Sequence, residues 1–155
     1  MEIKFKLNGK EIKAEVEADT ILLDLLREKG CYSVKRGCET ANCGLCTVLM
    51  NKKSALSCSI LAVQADGQEI VTLEGMQKEA EEFGDFLANE GAEQCGFCNP
   101  GFIMNVFAML EEIEEPTEEV LEYLAGNLCR CSGFVGQTRS ILKFLEYKKG
   151  GKKKA

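Results

Sequence analysis

The stretch Gly37-Cys38-Glu39-Thr40-Ala41-Asn42-Cys43-Gly44-Leu45-Cys46, completed by Cys58, decides the fold of the N-terminal half. Its cysteines follow C-x4-C-x2-C-x11-C, the ligand spacing of a plant-type 2Fe–2S site. Such a site needs three ligands close together on one loop and a fourth that returns from elsewhere. Cys38, Cys43 and Cys46 meet the first need. Cys58, past a strand and a turn, meets the second. The loop must turn sharply and aim backbone N–H groups at anionic sulfur, and Gly37 and Gly44 are expected to allow those turns. Four-cysteine zinc sites usually come as two separated C-x2-C pairs, which this trio is not.

The flanking sequence supplies a frame for that loop. Ile3, Phe5 and Leu7 alternate with polar residues, Asn8-Gly9 follows, and Ile12, Ala14 and Val16 alternate again. Asn-Gly between two alternating runs predicts a hairpin. Asp19 or Thr20 is expected to cap a helix through Ile21–Leu26 that Gly30 ends. After the cysteine loop, Thr47–Met50 reads as a strand, Asn51-Lys52-Lys53 as a turn and Glu69–Leu73 as the last strand. Two strands, a helix and then further strands is a β-grasp order, with the loop between the helix and the third strand.

Composition changes after Leu73. Residues 75–84 hold two glycines and the charged run Lys78-Glu79-Ala80-Glu81-Glu82, and read as a linker into a helix. Beyond it the strand pattern disappears. Phe102, Ile103, Val106, Phe107 and Leu110 recur at helical spacing. Pro116-Thr117-Glu118-Glu119 starts another helix with Thr117 as cap, and a last helix is expected near 137–147. The fold class is therefore α+β: residues 1–74 a β-grasp domain, 75–84 a linker, 85–148 a helical domain, and 149–155 a solvated basic tail expected to be disordered.

The helical half carries a second quartet. Cys95, Cys98, Cys129 and Cys131 follow C-x2-C-x30-C-x-C. By spacing alone this set could hold zinc or an iron–sulfur cluster. Its setting favours an anionic group: Pro100 can open a helix at its first position, and a helix N-terminus attracts negative charge. Gly126-Asn127 offers a helix stop before Cys129. The ninth cysteine, Cys31, reads as a small buried apolar residue.

Composition excludes several classes. The 155 residues contain no histidine, so Rieske ligation, His-ligated zinc or haem and His-based triads are ruled out. A net charge of −6 argues against a nucleic-acid surface. No apolar run reaches the roughly 18 residues of a membrane span. Met1-Glu-Ile-Lys-Phe lacks the apolar core of a signal peptide, and close cysteine pairs suit ligation better than bridging. A reducing, cytoplasmic setting fits these features better than a secreted disulfide scaffold. Neither a G-x-G-x-x-G fingerprint nor an acid–base constellation is present for substrate chemistry.

Three motifs resemble one family. Gly37-Cys38…Cys43-Gly44-Leu45-Cys46-Thr47-Val48, Gln94-Cys95-Gly96-Phe97-Cys98-Asn99-Pro100-Gly101 and Asn127-Leu128-Cys129-Arg130-Cys131-Ser132-Gly133 are similar to the cluster motifs of the xanthine oxidase family of molybdenum hydroxylases. The resemblance spans nearly the whole chain and implies its small iron–sulfur subunit. It implies a β-grasp ferredoxin domain followed by a four-helix bundle, each with one 2Fe–2S cluster. It further implies a large molybdopterin-binding partner near the helical cluster and a medium FAD-binding partner near the other. By the same resemblance, Gln94 and Cys131 are pterin-proximal. Ala41 stands where the family usually has Gly, which is strained if that residue needs positive φ. Asn99, Ser132 and Phe134 replace the more usual Thr, Thr and Tyr. The function implied is electron transfer from molybdopterin through two clusters to flavin, with substrate oxidation on partners. A free two-cluster carrier and a zinc-binding assembly scaffold are the alternatives.

Overall fold

Ile3, Phe5 and Leu7 point into the core from β1 (Glu2–Leu7), while Glu2, Lys4 and Lys6 face solvent. The protein is described by a computed structural model that covers residues 1–113, 117 and 119–152. Asn8 and Gly9, at φ 50° and 80°, close the predicted turn into β2 (Lys10–Glu15). Positive φ at both positions matches the right-handed twist of the paired strands. A second such turn, Asn51 and Lys52 at φ 51° and 69°, joins β3 (Thr47–Met50) to β4 (Lys53–Leu56). Lys53, expected in the turn, instead pairs with Met50. β5 (Glu69–Val71) stops short of the expected Leu73, because the Thr72 N–H leaves the ladder and donates to Asn8 Oδ1 at 2.8 Å. The sheet order is β2-β1-β5-β3-β4, with β5 parallel to β1 and antiparallel to β3.

Helix α1 (Leu22–Glu28) lies across this sheet. Leu22, Leu23, Leu25 and Leu26 are buried against Ile3, Phe5, Leu7, Val48 and Ile70. Each such leucine contributes about 2 kcal/mol of transfer free energy. The expected side-chain cap is not used. Ile21 is the N-cap, and the first helical N–H, on Leu22, donates to Ile60 O at 2.8 Å. A main-chain acceptor from a distant segment thus replaces Asp19 or Thr20, and Thr20 Oγ1 accepts the Glu17 N–H instead.

The helical part begins earlier than the charge run suggests. Segment 75–84, expected as a linker, lies mostly within α2 (Gln77–Asn89). Ala80, Phe83 and Leu87 recur on one face and are buried, so the charged run is the solvent face of the same helix. α3 (Asn99–Glu112) is buried almost all round between Gly101 and Met109. One side of it packs Met104 and Ala108 on Leu49 of β3, and the other joins Phe83, Leu87, Ile141 and Phe144. Phe83 is the hub, with ring centroids of Phe102, Phe107 and Phe144 at 6.3, 6.3 and 5.1 Å.

α4 (Glu119–Leu124) follows, and its expected capping segment lies largely outside the described residues. α5 (Phe134–Lys152) is longer at both ends than the expected 137–147. It takes in residues 149–152 of the expected tail, while residues 153–155 lie outside the described set. Lys148 ties its later turns down, pairing with Glu82 and lying 5.1 Å from the Phe144 ring centroid. The result is the expected mixture of a small sheet with one crossing helix and a helical part. Among the described residues no helix is long and apolar enough to cross a membrane.

Candidate metal centres

The first cysteine loop is shaped by its own backbone. Its N–H groups at Thr40, Asn42 and Cys43 point at Cys38, with Asn42 N 3.4 Å from Cys38 Sγ. These donors lower the Cys38 thiol to about 6 and so favour thiolate. Ala41 between them is at φ 51°, so the residue in place of glycine is indeed in the left-handed region. Gly44, at φ 72°, makes the expected turn. Gly37 does something else: it has ordinary φ, and a Cβ there would meet Leu45 Cδ2 at 2.8 Å and Cys43 Sγ at 3.1 Å. Its role is space beside sulfur rather than a turn.

Cys46 is buried just before β3, and Cys58 sits in a short 3-10 turn, Ser57–Ser59, after β4. Ser57 joins the two. Its N–H and its Oγ both donate to Cys46 O, at 3.3 and 2.8 Å. Burial, then the adjacent Cys46 sulfur, push the Cys58 thiol up to about 12. Burial likewise raises Cys43.

The second quartet is assembled from two segments. Cys95 precedes α3, and Cys98 is its N-cap. Pro100 occupies the second helical position rather than the first, since the helix starts at Asn99. Cys129 and Cys131 lie on the connection from α4 to α5. Cys131 Sγ is 3.6 Å from Cys95 Sγ. Burial and the facing Cys129 push Cys98 up to about 12. Burial would also raise Cys129, but N–H groups of Ser132, Cys131 and Gly133 outweigh it and hold that thiol below its ordinary value. Gln94 Nε2 donates to Cys131 O at 3.3 Å, so the two expected pterin-proximal residues touch.

All nine cysteines are free. Within each quartet the thiols feel one another's charge: Cys58 is raised by Cys46, Cys38 and Cys43, and Cys98 by Cys129 and Cys95. Four cysteines per site with no other donor, and N–H groups aimed at Cys38 and Cys129, are the donor set a 2Fe–2S cluster requires.

The two loops also touch. Leu128 N donates to Cys43 O at 2.9 Å, and Asn127 Nδ2 to Gly44 O at 3.4 Å. Asn105, buried in α3, donates to Tyr123 O at 3.0 Å and Asn127 Oδ1 at 2.6 Å, and accepts from Ser54 Oγ at 2.8 Å. Neither Ser57 nor Asn105 stands out as a site residue from the motifs. Asn105 has a signal, a lone amide inside the apolar run Ile103–Met109. Ser57 has none.

Comparison with known proteins points to the same cofactor. A family model described as a 2Fe–2S iron–sulfur cluster binding domain matches residues 5–82, and one described as a [2Fe-2S] binding domain matches residues 72–142. The small FeS subunit of nicotinate dehydrogenase from Eubacterium barkeri is 42% identical over 137 residues, covering 86% of this chain and 87% of that protein. The iron–sulfur-binding subunit of xanthine dehydrogenase from Escherichia coli O157:H7 is 44% identical over 145 residues, covering 90% and 91%. The chain belongs to the small iron–sulfur subunits of the xanthine oxidase family. Members of this family also share its three-dimensional form. Quinoline 2-oxidoreductase from Pseudomonas putida 86 superposes with a TM-score of 0.88 at 37% identity, over 97% of each chain. Aldehyde oxidoreductase from Desulfovibrio gigas does so at 0.87 and 31%, with this chain matching 17% of its length.

Proposed function

We propose that this chain is the electron-transfer subunit of a multi-subunit molybdenum hydroxylase. Its β-grasp domain, residues 1–74, holds one 2Fe–2S cluster on Cys38, Cys43, Cys46 and Cys58. Its four-helix bundle, α2 to α5, holds the other on Cys95, Cys98, Cys129 and Cys131. The partners are a large molybdopterin-binding subunit, faced by Gln94 and the Cys131 backbone, and a medium FAD-binding subunit. When bound, the clusters supply one-electron relay between those two cofactors. The setting is the reducing cytoplasm, where nine free cysteines persist.

The observation that carries this reading is that the two cysteine loops lie side by side, bonded through Leu128 N and Cys43 O at 2.9 Å. The chain's own residues do the positioning. Backbone N–H groups at Cys38 and Cys129 stabilise negative charge on sulfur. Buried Cys43 and Cys46 keep water from one side of the first site. Asn105 and Asn127 fix one loop against the other.

Metal analysis of the purified complex tests the assignment. Iron and acid-labile sulfide should each approach about four per chain, and Cys43→Ser or Cys129→Ser should each remove about half. Stoichiometric zinc with little iron would overturn it. Purification of the chain with both clusters and no large subunit would favour the free carrier.

A further inference from the structure

Two basic residues precede the first cysteine loop, and they are treated differently. Arg36 is neutralised: its Nη2 donates to both carboxylate oxygens of Asp24 at 2.6 and 2.8 Å, and Glu39 lies at 3.5 Å. Lys35 is not. Among the described residues it forms no ion pair with a carboxylate. Its backbone N–H is fixed to Leu45 O at 3.3 Å, inside the first loop. Its side chain crosses to the other domain. There Nζ donates to Phe97 O at 3.0 Å and lies 4.5 Å from the Phe97 ring centroid. Phe97 stands between Cys95 and Cys98. An ammonium from the first domain is therefore held, at an exposed contact, on the backbone of the second cysteine loop.

We infer that Lys35 tunes the second centre, raising the reduction potential of the cluster on Cys95, Cys98, Cys129 and Cys131 across the domain boundary. The inference rests on the two-cluster reading above. Adding an electron makes a thiolate-bound cluster more negative. A fixed cation nearby lowers the free energy of the reduced form more than that of the oxidised form. The neutral face of Phe97 holds the ammonium without cancelling its charge, as a carboxylate would. The bland alternative is that Lys35 only straps the two domains together through a hydrogen bond and a ring contact.

Charge variants in the intact complex separate the two roles. Lys35→Arg, Lys35→Met and Lys35→Glu would be prepared, and iron and sulfide counted before any titration. Potentiometric titration followed by EPR then resolves the two clusters. Lys35→Met should lower the one-electron reduction equilibrium constant of the second cluster about tenfold at low salt, equal to 59 mV. Lys35→Glu should lower it further, and Lys35→Arg should stay near the parent. The first cluster should move less, and added salt should shrink the shift. The inference is overturned if Lys35→Arg shifts the potential as Lys35→Met does, which marks packing rather than charge. It is overturned too if both clusters move alike, or if neither moves in Lys35→Glu. A parent complex lacking the iron of a second cluster would instead sink the two-cluster reading, and the metal count reports that independently.

Discussion

Gly101 shows how one missing methyl group places two cysteine loops. It lies in the first turns of α3, and a Cβ there would strike Gly44 O and come within 2.9 Å of Leu45 Cα. Both obstacles are backbone, which does not swing aside. Gly44 in turn is pressed by Gly126 O and by Asn127 Cα, the latter 3.1 Å from where its Cβ would be. Gly101→Ala should therefore destabilise the protein by about 1–3 kcal/mol, despite the better helix propensity of alanine. Visible absorbance of the first cluster should bleach at lower denaturant than in the parent. Gly84 in α2 is the control, because nothing lies within 4 Å of its Cβ position. Gly84→Ala should stabilise by about 0.5–1 kcal/mol. If the two substitutions have the same sign, close approach at Gly101 is not the constraint.

At the scale of elements, the segment leaving β5 is held by a polar knot. Glu74 accepts from Ser33 N and Ser33 Oγ at 2.8 and 2.6 Å, and from Thr72 Oγ1 at 2.6 Å. Asn8, at the tip of the first hairpin, donates through Nδ2 to Thr72 Oγ1 at 3.0 Å. Hairpin, α1 exit and start of the helical part thus meet at one carboxylate. Burial alone would raise that carboxyl, but hydrogen bonds from Ser33 and Thr72 outweigh it and hold it below its ordinary value. A carboxyl lowered in the folded state adds stability above its unfolded pKa, about 4.3, and loses it as pH falls through the folded value. Glu74→Gln should cost about 1 kcal/mol at neutral pH, after allowance for partial exposure. Its melting temperature should converge on the parent's as pH falls below the folded-state value. The difference between the two proteins is the readout, because acid attack on the thiolates affects both alike. A difference independent of pH would show that the charge of Glu74 is not what holds the knot.

On the scale of the whole molecule, apolar side chains stay exposed around one site. Phe97, Leu128 and Val135 are 53%, 61% and 70% exposed, and each lies close in sequence to a cysteine of the second quartet. Under the proposed function, these side chains are candidates for the contact with the large subunit. Leu128→Asp and Val135→Asp should weaken association with the large subunit by tenfold or more each, about 1.4 kcal/mol, as measured by co-purification and titration calorimetry. The first cluster's spectrum should be unchanged. Wild-type retention of the large subunit by both variants would place the contact elsewhere.

Sequence by itself determined the local frame and the spacing of the cysteines, which is a covalent fact. Spacing gave the first quartet a plant-type pattern but left zinc and an iron–sulfur cluster both open for the second. Alternation in β1 and the Asn8-Gly9 turn were equally legible, because period and turn chemistry are local. What tertiary structure decided is everything set by distant partners. The cap of α1 went to Ile60 O rather than Asp19 or Thr20, because the sheet domain places a carbonyl there. The supposed linker became α2, because Phe83 and Leu87 found Phe102 and Phe144 across the helical core. Gly37 and Gly101 are small for reasons of approach that no local pattern carries. Lys35 reads in sequence as one more solvated cation. Only the packing of two domains puts its charge on the loop between Cys95 and Cys98, since a contact spanning 62 residues is made by the fold and not by the order of the chain.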